Sequence, residues 1–266
     1  MAAFDPTSRL GTPALGRPPR RPRVQRELAL LGPVAQLRAG RLPRRLSQLL
    51  VGLTLYGLTL AMIIRATLGN SPWDVLHQGL AEHLPISIGT AVIAMSLVVL
   101  LAWIPLRELP GLGTILNSVL VGLSADVFLG VIETPATTGG RWLLLLSGVF
   151  LNGVATALYI GSQFGPGPRD GLMTGLHRRT GVSIQLVRTS LEVGVVLVGT
   201  ALGGTLGLGT VVYALAIGPL VQRMLPWAIV DLPEPIAERA EMLRPDAPSG
   251  HERGSAPRPA GAEAAA

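Results

Sequence analysis

The sequence predicts an all-α membrane protein of about six transmembrane helices, arranged as two inverted three-helix repeats, each with a short half-helix or re-entrant segment. Three observations carry this. Apolar residues make up 48% of the 266 residues and charged residues 14%, with a mean hydropathy of +0.48, a balance outside that of soluble domains. Six apolar runs, at about 46–68, 86–106, 111–132, 142–164, 182–202 and 208–230, each approach the ~20 residues a helix needs to cross a bilayer. One polar phrase, GNSPWDVLHQGL at 69–80, returns 96 residues later as GPGPRDGLMTGL at 165–176.

Residues 1–45 are rich in proline and arginine and are expected to form a disordered cytoplasmic tail. All 22 basic residues of the chain are arginine, and ten of them precede residue 46. A basic tail just ahead of a membrane span reads as an anchor beside anionic lipid rather than a nucleic-acid module, so membrane lipid is an expected partner and nucleic acid is not. The stretch LALLGPVAQL at 28–37 is broken by Gly-Pro, which marks a loop or an interfacial helix rather than a secretory signal. Residues 232–266 repeat the polar composition and are expected to be a second disordered tail. The membrane domain then occupies 46–231.

The spans are helical because segments such as SLVVLLAWIPL and RWLLLLSGVFL are apolar on every face, whereas barrel strands alternate. Orientation follows from arginine. With both termini in the cytoplasm, that side receives the tail arginines, Arg107, Arg169, Arg178, Arg179 and Arg223, and the outside receives only Arg65 and Arg141.

A shift of 96 aligns Gly69 with Gly165, Pro72 with Pro168, Asp74 with Asp170, Gly79 with Gly175 and Ser87 with Ser183, and GLGT at 111–114 recurs at 207–210. The repeats cover about 46–132 and 142–230. Each holds three spans, an odd number, so the second enters the membrane from the opposite side. Pro72 and Pro168 suit the first position of a helix, and Asp74 and Asp170 follow near its positive end. A single straight helix over 72–105 would reach about 51 Å, far beyond a core of about 30 Å. A break is therefore expected near Pro85 in the first repeat and near Gly181 in the second.

In that arrangement two half-helix starts face each other near the midplane, and Asp74 and Asp170 line a polar site for a cation, a proton or a polar solute; as plain helix caps they would do less. Arg188 and Glu192 stand four apart inside the fifth span, where charge is costly. Their counterparts Val92 and Ser96 are uncharged, so the repeat scaffold does not impose the pair. Asp126, Asn117 and Asn152 read first as interhelical glue, and the steps Gly148 with Asn152 and Gly199 with Gly203 as close packing. His77, His83 and His177 are candidates for proton coupling.

The chain has no cysteine, which excludes disulfides, thiolate metal sites and cysteine nucleophiles. It lacks H-E-x-x-H, G-x-S-x-G and P-loop motifs, so no enzyme, cofactor or metal is expected. Energy for transport would then come from a proton or cation gradient.

The phrases SPWD and GPGPRDGLMTGL, followed by GVSIQLVRTSLEV with Arg188 and Glu192, resemble the YczE-like bacterial membrane proteins, distantly related to the YitT type. The likeness covers about residues 46–230 and attaches to Pro72, Asp74, Pro168, Arg169, Asp170, Arg188 and Glu192. It implies a multi-pass protein of the bacterial inner membrane, in a group regarded as including transporters. The expected function is secondary transport, or channel-like passage, of a small polar or amphiphilic solute, with room for a homo-oligomer. The alternative is a membrane scaffold that docks or regulates a cytoplasmic partner through Arg169, Arg178, Arg179 and the tails.

Overall fold

The structure, a computed structural model, describes residues 32–232. Within them the chain is helical throughout: α1 Pro33–Arg38, α2 Leu42–Ala66, α3 Pro72–His83, α4 Ile88–Leu106, α5 Leu112–Val131, α6 Thr138–Gly161, α7 Pro168–Thr180, α8 Ile184–Ala201 and α9 Leu208–Ala228. Six of these, α2, α4, α5, α6, α8 and α9, are long and apolar enough to cross a membrane. They correspond one for one to the six apolar runs. The tails' expected disorder falls on residues 1–31 and 233–266, outside the described residues.

The first boundary differs from expectation. Residues 33–38 and 42–45 are helical, so the end of the expected tail belongs to the folded body. The cause is Arg45, which composition assigned to a basic tail but which is fully buried. Its guanidinium donates to three backbone carbonyls, from Nε to Ser162 (2.9 Å), from Nη1 to Gln36 (2.6 Å) and from Nη2 to Gln163 (2.8 Å), and lies 4.3 Å over the Phe164 ring. One side chain thereby ties α1 and α2 to the turn after α6, whose last carbonyls carry the negative end of the helix dipole.

The two central helices, α2 and α6, pack on each other; α5 lies against α2, and α9 against α6. Leu49, Leu53, Leu60, Val121 and Tyr159 form the largest apolar cluster between them. Small residues allow the close approaches: a Cβ on Gly57 would fall 2.8 Å from the Val121 carbonyl oxygen of α5. Polar residues act as the expected glue. Asn152 Nδ2 donates to Thr59 Oγ1 (2.8 Å), and the Tyr213 hydroxyl donates to Asn152 Oδ1 (3.0 Å), linking α2, α6 and α9. Asp126 of α5 accepts from Ser87 Oγ (2.5 Å) and the Gly89 N–H (2.7 Å), and so caps α4 from the side. Gly148 and Gly199 do pack closely, on α2 and α3, but Gly203 has open space beside it and serves the turn after α8 at φ +85°.

The short helices α3 and α7 carry the two polar phrases. Helix α3 lies on α8 and α4, and α7 on α4 and α8. At 12 and 13 residues they reach roughly 18–20 Å, less than a bilayer core. They stop where the sequence said a break was needed, at His83 ahead of Pro85 and at Thr180 ahead of a left-handed Gly181.

The loops before α3 and α7 are anchored by the two GLGT motifs. The Gly209 N–H donates to the Leu68 carbonyl (2.7 Å), and the Gly113 N–H donates to the Phe164 carbonyl (2.9 Å). In each motif the threonine hydroxyl, Thr210 or Thr114, accepts from the N–H of its own first glycine. Gly69 and Gly165 turn the chain at φ +119° and +100°, a region that glycine enters without strain.

Candidate functional site

Each phrase starts its helix as local chemistry dictates, but the two starts are finished differently. Ser71 caps α3: its Oγ accepts from the Asp74 N–H and donates to Asp74 Oδ2. The second carboxylate oxygen, Oδ1, meets His77 Nδ1 at 3.1 Å. Asp74 and His77 are both buried. In α7 the capping position is Gly167, which has no side chain to offer. Asp170 is instead approached from α6, where the Tyr159 hydroxyl donates to its Oδ2 at 2.8 Å, and it remains half-buried.

The two starts meet. The Arg169 guanidinium stacks 5.0 Å above the Trp73 ring. Trp103 of α4 donates from Nε1 to the Pro168 carbonyl (3.0 Å), and Trp73, Trp103, Leu172 and Val195 pack together, joining α3, α4, α7 and α8. From this position Arg169 acts electrostatically on Asp74, His77, Tyr56, Tyr159 and Tyr213. Arg188 and Glu192 pair at 2.8 Å on α8, with the arginine side chain half exposed. The structure thus brings Arg169 and Asp170 beside the start of α3, which holds Asp74, with Pro72 and Pro168 as first residues of the two helices, while Arg188 and Glu192 bond only to each other. Of the three candidate histidines, only His77 joins them. His83 and His177 bond to backbone carbonyls near the far ends of α3 and α7.

Aromatic side chains complete the cluster, and sequence reasoning missed them. The chain has three tyrosines. Tyr56 of α2, Tyr159 of α6 and Tyr213 of α9 all converge here, Tyr56 and Tyr159 edge to face with centroids 6.2 Å apart, and Tyr56 and Tyr213 side by side. The available signal was their scarcity: each lies alone within an apolar span, where a phenol hydroxyl needs a partner. Tyr56 and Tyr213 lie deep in the bundle yet keep solvent-accessible surface, as do Arg169 and Asp170. Among the described residues no cluster of three or more metal-ligating side chains occurs.

A bundle of six apolar helices, with charged and phenolic groups gathered where two short helices begin, defines a multi-pass integral membrane protein with a polar interior. Residues 43–226 match the model of DUF6198, a family of unknown function, and the chain belongs to that family. It is 41% identical over 182 residues to a Haemophilus influenzae protein whose name reads "Uncharacterized protein", covering 68% of this chain and 84% of that one. It is 31% identical over 194 residues to the Bacillus subtilis "Uncharacterized membrane protein YczE", covering 73% and 90%. A second Bacillus subtilis protein, YyaS, is 24% identical over 180 residues, covering 66% and 90%. These findings bear out the YczE-like resemblance and the multi-pass membrane location. No solved structure matches the chain.

Proposed function

We propose that the protein is a secondary transporter or channel-like protein that moves a small polar or amphiphilic solute across the bacterial inner membrane, with its central site at the two Pro-x-Asp phrases. One observation carries this reading: accessible charged and phenolic groups, Arg169, Asp170, Tyr56 and Tyr213, lie inside an otherwise apolar bundle. Intramembrane charge is costly and is usually kept for a solute or ion path.

The site rests on an inverted repeat of two three-span halves with a re-entrant α3 and α7. Interactions that recur under the 96-residue shift support it. Gly113 with Phe164 answers Gly209 with Leu68; α3 on α8 answers α7 on α4, and α5 on α2 answers α9 on α6. Alternating access would rock one half against the other about the fixed site. Both termini face the cytoplasm, the basic N-terminal tail lies beside anionic lipid, and coupling to protons or cations drives the cycle without catalysis, cofactor or metal. Assembly as a homo-oligomer is compatible with this scheme.

The test begins with a thermal-shift screen of the detergent-solubilised protein against ions, amino acids, peptides and hydrophobic antibiotics, since a ligand of the native state raises its apparent stability. The ligand found then enters a proteoliposome flux assay. The combined variant Asp74→Asn, Asp170→Asn, Arg188→Gln, Glu192→Gln should insert at wild-type levels and carry no flux. Wild-type flux from that variant would sink the site.

A second reading, a scaffold for a cytoplasmic partner, is favoured by a cleft of about 700 Å³ between α4 and α7. Arg107, Arg178 and Arg179 line it beside Glu108, and Arg178 pairs with Glu108. Capture of a partner that Arg178→Glu and Arg179→Glu abolish, with no ligand in the screen, would support it.

A further inference from the structure

Among the described residues, three polar groups at the meeting of α3 and α7 have no hydrogen-bond partner. Arg169 is half-buried and, among the described residues, makes no hydrogen bond and no ion pair; its one contact of note is the Trp73 face. Trp73 is 6% exposed and its Nε1–H is buried without an acceptor. His77 is fully buried, and its Nε2 is also without a partner. A guanidinium offers five N–H donors in a planar fork suited to two anionic oxygens. The unmet donors of Arg169 and Trp73, inside a membrane protein, point to an oxygen-rich guest.

The second half is also open where the first is shut. Helices α4 and α5 touch backbone to backbone, and a Cβ on Gly122 would collide with the Gly89 carbonyl oxygen. Helices α8 and α9 barely meet. Gly218, the counterpart of Gly122, has open space around it, and Gln185 and Gln222 replace Gly89 and Asp126. Only Val187 and Gly199 of α8 are buried. Val195 of α8 packs on Trp73 and Trp103, and Tyr213 of α9 bonds Asn152 in the bundle interior, so the helices on both sides of this gap reach the polar cluster.

Resting on the transport reading above, we infer that the solute is an amphiphilic anion: Arg169 holds its carboxylate or phosphate oxygens, with the Trp73 N–H alongside, and its apolar chain lies in the gap between α8 and α9. The full chain in nanodiscs is titrated with hexanoate, hexyl phosphate, inorganic phosphate and hexylammonium. Wild type should bind hexanoate or hexyl phosphate, and Arg169→Gln should weaken this about tenfold or more. Trp73→Phe, which keeps the ring and removes the N–H, should weaken it less. Gly218→Trp, placed in open space, should weaken hexyl phosphate while sparing inorganic phosphate. Unchanged binding in Arg169→Gln overturns the anion site. Inorganic phosphate binding as tightly as hexyl phosphate, or no effect of Gly218→Trp, overturns the route between α8 and α9. Hexylammonium binding that Asp170→Asn abolishes leaves a solute site standing and overturns its anionic character. Failure of every probe on wild type overturns the inference, while no flux of any stabilising ligand through the wild-type protein in proteoliposomes separately removes the transport reading.

Discussion

Arg45 and Asp74 show two ways of keeping a charged side chain inside this bundle. Among the described residues Arg45 has no carboxylate against it and is held by three carbonyls and an aromatic face. Arg45→Ala leaves those acceptors in a dry site, so its apparent unfolding temperature in detergent should fall by the equivalent of roughly 3 kcal/mol. Arg45→Lys should restore only part, because one ammonium cannot span three carbonyls as a guanidinium does. Asp74 is bound on both oxygens, by Ser71 and His77, while Asp170 has one bond, from Tyr159. Asparagine keeps an oxygen for Tyr159 but presents an amide to either Ser71 or His77. Asp74→Asn should therefore cost about 1–3 kcal/mol in thermal unfolding and Asp170→Asn clearly less. Equal losses would show that the two aspartates are not held as described.

The element scale turns on how closely helices approach. Gly122 and Gly218 occupy matching positions in α5 and α9, yet only Gly122 has a neighbouring backbone within contact distance. Gly122→Ala should be destabilising by roughly 1–3 kcal/mol, because the obstacle is main chain and cannot rotate away. Gly218→Ala should be neutral in the same thermal assay. Destabilisation by both would mean that α8 and α9 close on each other in the membrane. The short helices were legible at this scale because a proline at the first turn, an aspartate after it and a break near Pro85 or Gly181 are local signals. Ser71, one residue before Pro72, caps α3 by the same kind of local chemistry. The anchoring of each loop by the distant GLGT motif was visible only as a repeated spelling, since the hydrogen bond joins residues far apart along the chain.

For the whole molecule, the arginine distribution makes a testable statement about sidedness. The native chain has no cysteine, so single cysteines can be introduced without background. In intact cells a membrane-impermeant thiol reagent should label Ala136→Cys and Leu206→Cys, in the loops before α6 and α9, and spare Leu109→Cys between α4 and α5. The reverse pattern would turn the protein over and place Arg169, Arg178 and Arg179 outside.

The sequence by itself determined that the chain is helical, that it has six membrane-spanning candidates and where its polar phrases begin, because apolar length, capping residues and proline act within a few neighbours along the chain. It also named Asp74, Arg169, Asp170, Arg188 and Glu192. Only the tertiary structure decided that Asp170 meets Tyr159, with Tyr56 against it, that Arg169 stacks on Trp73 with its donors unmet, that Arg45 leaves the basic tail for the interior, and that α8 and α9 part where α4 and α5 close. Those outcomes depend on which side chains meet across the bundle, and such meetings leave no periodic mark in the residues on either side of them.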